Sequence, residues 1–355
     1  MTVSLMLTAA IAALVAALVA VPWVCHWTLA KGLSDAPGDR KIHQMPVSRL
    51  GGIGIFIGLV AGFASLLLIS WHYPHGNGLA GILAGTVLMF TVGVIDDLIS
   101  LPPMVKLLGQ MIAATVAWVF GVQVTTLDLP QSQLLMLHGL SYPVTLLWLL
   151  ALSNALNFID GVDGLAGGVT FFSALTLVVV SGFTGQWVSG AMAGILAGAV
   201  MGFLCYNLPP ARLFMGDSGA LTCGFLLGAI AVTGVLKKPV AVMLLPMVIL
   251  SVPLLDITFS TFRRLLKFKN PFKADADHLH HRLLRTGMSH RRVIAVFYVI
   301  CIVSGALASA YVKSLGLYAV LMVSGVGSLL MASFLIRKFW PLSKALDPEA
   351  ALEPN

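Results

Sequence analysis

Asn154-Ala-Leu-Asn-Phe-Ile-Asp-Gly-Val-Asp-Gly-Leu-Ala-Gly-Gly168 joins two apolar runs, one over about 140–157 and one over about 165–182. Each run is long enough to cross a bilayer. At their junction Asn154, Asn157, Asp160 and Asp163 recur at steps of three. Each step turns a helix by about 300°, so the four sweep roughly half its surface. Gly161, Gly164, Gly167 and Gly168 loosen the backbone beside them. Two carboxylates and two amides at the end of a membrane-crossing helix are costly unless something uses them. A Gly-rich turn between helices is the plain alternative, but a turn needs one or two such residues rather than four at regular spacing.

The rest of the chain agrees with a membrane setting. Of its 355 residues 58% are hydrophobic and 10% are charged, against about 25% charged in a soluble domain. Long apolar runs recur from end to end. The sequence therefore predicts an all-α polytopic membrane protein of about eleven transmembrane helices. The spans fall near 3–25, 50–70, 79–95, 105–121, 140–157, 165–182, 187–206, 218–236, 239–260, 292–312 and 314–336. Residues 1–340 read as a single integral-membrane domain and 341–355 as a disordered tail. The first run, Val3 to Val24, has no basic flank and a poor cleavage site, so it is expected to be a retained span. Cys25, Cys205, Cys223 and Cys301 show no framework spacing and read as packing residues.

The net charge of +7 reports topology here, and not nucleic acid. With the N-terminus outside the cytoplasm, only Lys237, Lys238 and Lys313 of the 21 basic residues fall on the outer side. Among the 14 carboxylates only Asp128 is clearly outer. A transporter would keep ionisable groups near mid-bilayer, often in paired broken helices. The one-sided distribution favours a reaction at the cytoplasmic face. Glycines at four-residue steps, as in Gly54, Gly58 and Gly62 or Gly194, Gly198 and Gly202, read as close helix packing.

Four further groups carry chemistry. In 26–49, Lys41, His43 and Arg49 either anchor the second span to lipid headgroups or hold a phosphate, with Gly51 and Gly52 behind them. Asp96-Asp97 ends the third span, with Lys106 and Gln110 following; adjacent carboxylates beside a lysine suit a base or a metal and phosphate site. Asn207 and Phe214-Met-Gly-Asp-Ser-Gly219 lead into the eighth span. There Asp217 or Ser218 either caps the helix, or the helix start binds phosphate while Asp217 holds a divalent cation. The long basic loop carries Asp275-Ala-Asp-His-Leu-His-His-Arg282. Its spacing matches neither HExxH nor a Cys/His finger; it is either a solvated basic loop, or His278, His280, His281 and Arg282 clamp a diphosphate. Together these groups are the equipment of Mg²⁺-dependent phosphoryl transfer, with a lipid as one substrate.

At this point the chain resembles a known family: the polyprenyl-phosphate N-acetylhexosamine-1-phosphate transferases, of glycosyltransferase 4 type. The resemblance covers residues 30 to about 335 through five motifs in the family order: Pro46 to Gly52, Asp96-Asp97 with Lys106 and Gln110, Asn154 to Ala166, Phe214 to Gly219, and His278 to Arg282. His278-Leu-His-His281 after Asn270-Pro-Phe272 looks like the GlcNAc-1-phosphate transferases of the WecA type. Val47-Ser-Arg-Leu-Gly-Gly52 and the split His set count against the peptidoglycan translocase.

The resemblance implies a cytoplasmic active site in the bacterial inner membrane, where a UDP-sugar and undecaprenyl phosphate give undecaprenyl-diphospho-sugar and UMP. The implied product is the first lipid-linked intermediate of a glycan such as O-antigen or common antigen. Carried over by position, Asn157 and Asp217 would hold Mg²⁺, with Mn²⁺ as a substitute. Asp96, Asp97, Asp160 and Asp163 would be catalytic, the latter two on the nucleotide side. Lys41, Arg49, Lys106, Asn154, Asn207, Phe214, His278, His280, His281 and Arg282 would bind substrate, Phe214 beside the uracil. A homodimer is compatible with this reading. The expected chemistry is direct attack by the lipid phosphate on the β-phosphorus, or two steps through a phospho-aspartate.

Overall fold

The computed structural model describes residues 2–35, 47–70, 77–129, 133–234, 283–284 and 286–313. Within them lie nine α-helices: α1 Thr2–Ala30, α2 Gly51–Ile69, α3 Asn77–Ile99, α4 Pro103–Val119, α5 Ser141–Ile159, α6 Leu165–Thr184, α7 Trp187–Asn207, α8 Gly216–Gly234 and α9 His290–Lys313. Eight of them are long and apolar enough to span a membrane, and α4 is a shorter apolar helix. Nine of the eleven expected spans coincide with these helices. The other two, 239–260 and 314–336, lie outside the described residues, as does the tail.

Two short antiparallel hairpins add to the all-α expectation. β1 (Ser34–Asp35) pairs with β2 (Val47–Ser48), and β3 (Thr126–Leu129) pairs with β4 (Gln133–Met136), Thr126 opposite Met136.

The helices pack by small residues. Inside a bilayer apolar burial drives little association, so helices hold together by close contact of their surfaces. α1 turns Ala9, Ala13 and Ala17 inward, fully buried, and turns Leu7, Ile11, Val15 and Val19 outward, each more than half exposed. Gly58 and Gly62 of α2 and Gly198 and Gly202 of α7 meet that alanine face. A Cβ at Gly198 would lie 2.2 Å from the Ala10 carbonyl oxygen. The four-residue glycine steps are thus contact seams. α8 packs on α3 and α5, α6 on α7, and α9 on α6, so α7 and α8 are the most enclosed helices.

The chain runs up and down, so one end of the bundle collects the C-terminal ends of α1, α3, α5 and α7 with the N-terminal ends of α2, α4, α6, α8 and α9. Cross-links between these ends confirm the grouping: Gly51 N–H to the Phe214 carbonyl at 3.0 Å, Asp217 N–H to Asp97 at 2.7 Å and Tyr298 hydroxyl to the Gly164 carbonyl at 2.7 Å. Every motif residue among the described residues lies at this end.

Candidate active site

Asp96 and Asp97 occupy the last turn of α3. Neighbours on a helix point about 100° apart, so the two carboxylates serve different partners. Asp97 reaches across to α8, whose first N–H groups have no partner within their own helix. It accepts the N–H of Asp217 at 2.7 Å and that of Ser218 at 2.9 Å, one on each oxygen. A carboxylate there also complements the helix dipole. This contact needs two glycines. A Cβ at Gly93 would lie 2.4 Å from Ser218 Cα, and one at Gly216 would lie 2.0 Å from the Arg49 carbonyl oxygen. Gly216 also has φ +71°, a conformation glycine adopts without steric cost.

Asp96 Oδ1 accepts the Leu101 N–H at 2.6 Å and closes the turn into α4. Its Oδ2 pairs with Lys106 Nζ at 2.8 Å. Lys106 stands on the first turn of α4, which Pro103 opens. Its ammonium also contacts Asp217 Oδ2, and lies 3.5 Å from Asn157 Oδ1. Asn157 Nδ2 in turn donates to Asp217 Oδ1 at 2.7 Å. Three oxygens from α3, α5 and α8 therefore surround one cationic nitrogen from α4. The Asp217 side chain is 29% exposed against 11% for Asp96 and 17% for Lys106, so the cluster opens on its Asp217 side.

One turn deeper, Gln110 and Asn154 clip α4 to α5. Asn154 Nδ2 donates to Gln110 Oε1 at 2.7 Å, and Gln110 Nε2 donates back at 3.3 Å. The Asn154 amide also serves the Leu150 carbonyl and so fixes helix rotation. Gln110 is 1% exposed. A buried amide needs such a partner.

The loop from Asp160 to Gly164 links α5 to α6. Asp160 ends α5. Asp160 is half-buried as a residue, yet protein atoms pack round the carboxyl itself. That burial first, and then the nearby Asp217 and Asp97 carboxylates, push it well above the ordinary carboxylate range. Asp163 Oδ2 accepts the Ala211 N–H at 3.0 Å. Asn207, 2% exposed, accepts the Gly164 N–H at 2.9 Å and donates to the Leu213 carbonyl at 2.8 Å. Its amide is used by backbone on both sides and braces the loop. Gly167 packs on Leu204 and Gly168 on the Tyr298 ring. These two glycines make room for helices.

Two motifs that are separate in sequence form one seam. Ser48 makes a bridge to Leu213, the Ser48 carbonyl accepts the Phe214 N–H at 2.9 Å, and Gly52 N–H reaches the Met215 carbonyl at 2.8 Å. The seam sets the Arg49 carbonyl beside Gly216, next to the Asp97 carboxylate; the Arg49 residue is exposed and Phe214 is half-buried. Lys41, His278, His280, His281 and Arg282 lie outside the described residues.

The expected phosphate site at the α8 start is altered by this geometry, because Asp97 already holds the Asp217 and Ser218 N–H groups. No group of three or more His, Cys, Asp or Glu residues among the described residues has metal-site geometry. The donors present are of another kind: Asn157 Oδ1, Asp217 Oδ2 and Asp96 Oδ2, all hard oxygens already gathered round one cation, Lys106. That set fits Mg²⁺, which takes one or two protein oxygens and leaves its other positions to phosphate and water.

Residues 79–235 match the family model described as Glycosyl transferase family 4. A probable undecaprenyl-phosphate N-acetylglucosaminyl 1-phosphate transferase of Bacillus subtilis is 34% identical over 82% of this chain and 80% of its own. The chain belongs to glycosyl transferase family 4. A decaprenyl-phosphate N-acetylglucosaminephosphotransferase of Mycobacterium tuberculosis is 31% identical over 83% of this chain and 81% of its own. The undecaprenyl-phosphate alpha-N-acetylglucosaminyl 1-phosphate transferase of Escherichia coli is 27% identical over 88% and 86%. The segment matched to the glycosyl transferase family 4 model contains Asp96, Asp97, Lys106, Asn157, Asp160, Asp163 and Asp217, the whole polar cluster described above. It leaves out the Val47–Gly52 strap and α9, which nonetheless reach the same end of the bundle.

Proposed function

We propose that this chain transfers GlcNAc-1-phosphate from UDP-GlcNAc to undecaprenyl phosphate, releasing UMP and making the first lipid-linked intermediate of a cell-surface glycan. The observation that carries the proposal is the ring of Asp96, Asn157 and Asp217 oxygens round Lys106 at one end of a membrane bundle. It has the charge pattern that a diphosphate and its counter-cation require. The activities named for the relatives from three bacteria supply the sugar and the acceptor class.

In this reaction an oxygen of the lipid phosphate forms a bond to the β-phosphorus of the UDP-sugar. The bond from that phosphorus to the bridging oxygen breaks, and UMP leaves with the electron pair. The acceptor phosphate has a second pKa of about 6 and is largely ionised at neutral pH, so little base catalysis is needed. Asn157 and Asp217, with Asp96 alongside, would hold Mg²⁺, which when bound neutralises the charge that develops on the diphosphate. Lys106 turns its ammonium to the phosphates and lowers their mutual repulsion with the acceptor. Asp97 holds the start of α8 and thereby aims the Asp217 carboxylate. Arg49 and Phe214 would meet the donor's nucleotide.

The direct route is favoured over a phospho-aspartate. Both oxygens of Asp97, of Asp96 and of Asp217 are engaged by N–H groups or by Lys106 and Asn157, which lowers the basicity of these three and counts against them as the attacked carboxylate. The bias of basic residues supports a cytoplasmic site.

The test is UMP release by the purified protein from a panel of UDP-sugars, with undecaprenyl phosphate and Mg²⁺. Release confined to UDP-GlcNAc is expected; no release with any sugar overturns the reading. Recovery of sugar-phosphate bound to protein when the lipid is left out would replace the direct route by the two-step one.

A further inference from the structure

Every motif residue described above belongs to a segment with a recognisable pattern. Tyr298 does not. It lies on α9, beyond the matched segment 79–235, in an apolar run with no polar spacing around it. Yet its hydroxyl donates to the Gly164 carbonyl at 2.7 Å. Its ring lies against Gly168 so closely that a Cβ there would be 1.9 Å from Tyr298 Cε1. The Phe172 ring meets it edge-on at 5.1 Å between centroids.

The loop it touches is the one that carries Asp160 and Asp163. That loop has three tethers: Asp163 to the Ala211 N–H, the Gly164 N–H to Asn207, and the Gly164 carbonyl to Tyr298. Two of them come from α7 and the stretch that follows it. The third comes from α9. Gly164 has φ +78° and begins α6, so its peptide sits at the pivot between the two carboxylates and the rigid helix. A hydroxyl fixed by a packed ring at that peptide sets the angle at which the loop leaves α6.

We propose that Tyr298 is a positioning residue of the transfer reaction: through its hydroxyl on the Gly164 carbonyl it holds the Asp160–Gly164 loop in the conformation that receives the UDP-sugar. The inference rests on the donor reading of this site given above. It assigns to α9 a part in donor binding that no motif marks.

Tyr298→Phe removes the hydroxyl and keeps the ring. The KM for the UDP-sugar is expected to rise about fivefold, the cost of one lost hydrogen bond, while the KM for undecaprenyl phosphate stays at its wild-type value. Backbone amides of residues 160–165 are expected to exchange faster with deuterium in the same variant, and this second readout needs no substrate. Gly305→Ala is the control: it crowds Thr176 on the same α9–α6 interface, far from the loop, and is expected to lower the unfolding midpoint with the donor KM unchanged. Phe172→Leu frees the ring without touching the hydroxyl and carries the test if Tyr298→Phe does not fold; its donor KM and loop exchange move the same way by less. An unchanged donor KM in a folded variant, or unchanged exchange at 160–165, overturns the proposal. Absence of UMP release by the wild-type protein would instead overturn the donor reading, and the exchange measurement would still decide whether Tyr298 holds the loop.

Discussion

Asp217 has the most demanding position in the site. One oxygen takes the Asn157 amide, the other the Lys106 ammonium, and its own N–H is held by Asp97. Asp217→Ala removes the shared centre of this arrangement. Turnover is expected to fall at least about 100-fold, with the protein still extracted as a single species; near-normal UMP release would contradict its assignment. Lys106→Met leaves Asp96 and Asp217 facing each other without a cation, and a similar loss is expected. Asp160 gives a prediction of a different sign. Its folded-state proton affinity is raised by burial and by neighbouring carboxylates. Below the ordinary carboxylate range the folded and unfolded chains both hold that proton, and it costs nothing. As pH rises past that range the unfolded chain releases it first, so stability is lost. In the metal-free protein Asp160→Asn is therefore expected to raise the unfolding midpoint at about pH 7, with the gain vanishing towards about pH 4. A gain that is the same at both pH values would rule out this account.

At the scale of elements, the helices were legible because a bilayer sets their length. Nine expected spans match helices to within a few residues, and the glycine steps marked the faces that touch. The two hairpins were not legible, since strands of two to four residues leave no period to read. The site was legible in its ingredients and not in its wiring. Asp96, Lys106, Asn157 and Asp217 were visible as oxygens and a cation at helix ends. That Asp97 would cap a helix 120 residues away, that Gln110 would pair with Asn154, or that Tyr298 would reach Gly164, has no signature in local spacing. Such contacts arise only when helices dock. They can be measured. Asn154→Leu strands the buried Gln110 amide, Gln110→Leu takes one partner from the half-buried Asn154, and the double variant does neither, so a coupling of about 1 kcal/mol is expected from a double-mutant cycle on unfolding in detergent. Additive effects would mean that the pair does not clip α4 to α5.

At the scale of the molecule, all described polar motifs lie at one end, and the bias of basic residues predicts that this end faces the cytoplasm. The orientation can be checked in a cysteine-free background. Gly139, with no side chain within 4 Å of its position, lies just before α5 at the far end, and Arg49 is exposed at the site end. A membrane-impermeant maleimide added to intact cells is expected to label Gly139→Cys and to spare Arg49→Cys until the cells are opened. The reverse pattern would invert the topology and remove the cytoplasmic reading.

The cap that Asp97 places on α8 also bears on how the chain is made. Asp97 leaves the ribosome 120 residues ahead of the N–H groups it will hold. Through that interval it stands beside Asp96 at the rim of the bilayer, with no donors from α8. A chain that stalls before Gly216 can pair Asp96 with the Leu101 N–H and Lys106 but has nothing to offer Asp97, whose two donors come from α8 alone. Assembly of the reactive end thus coincides with arrival of α8.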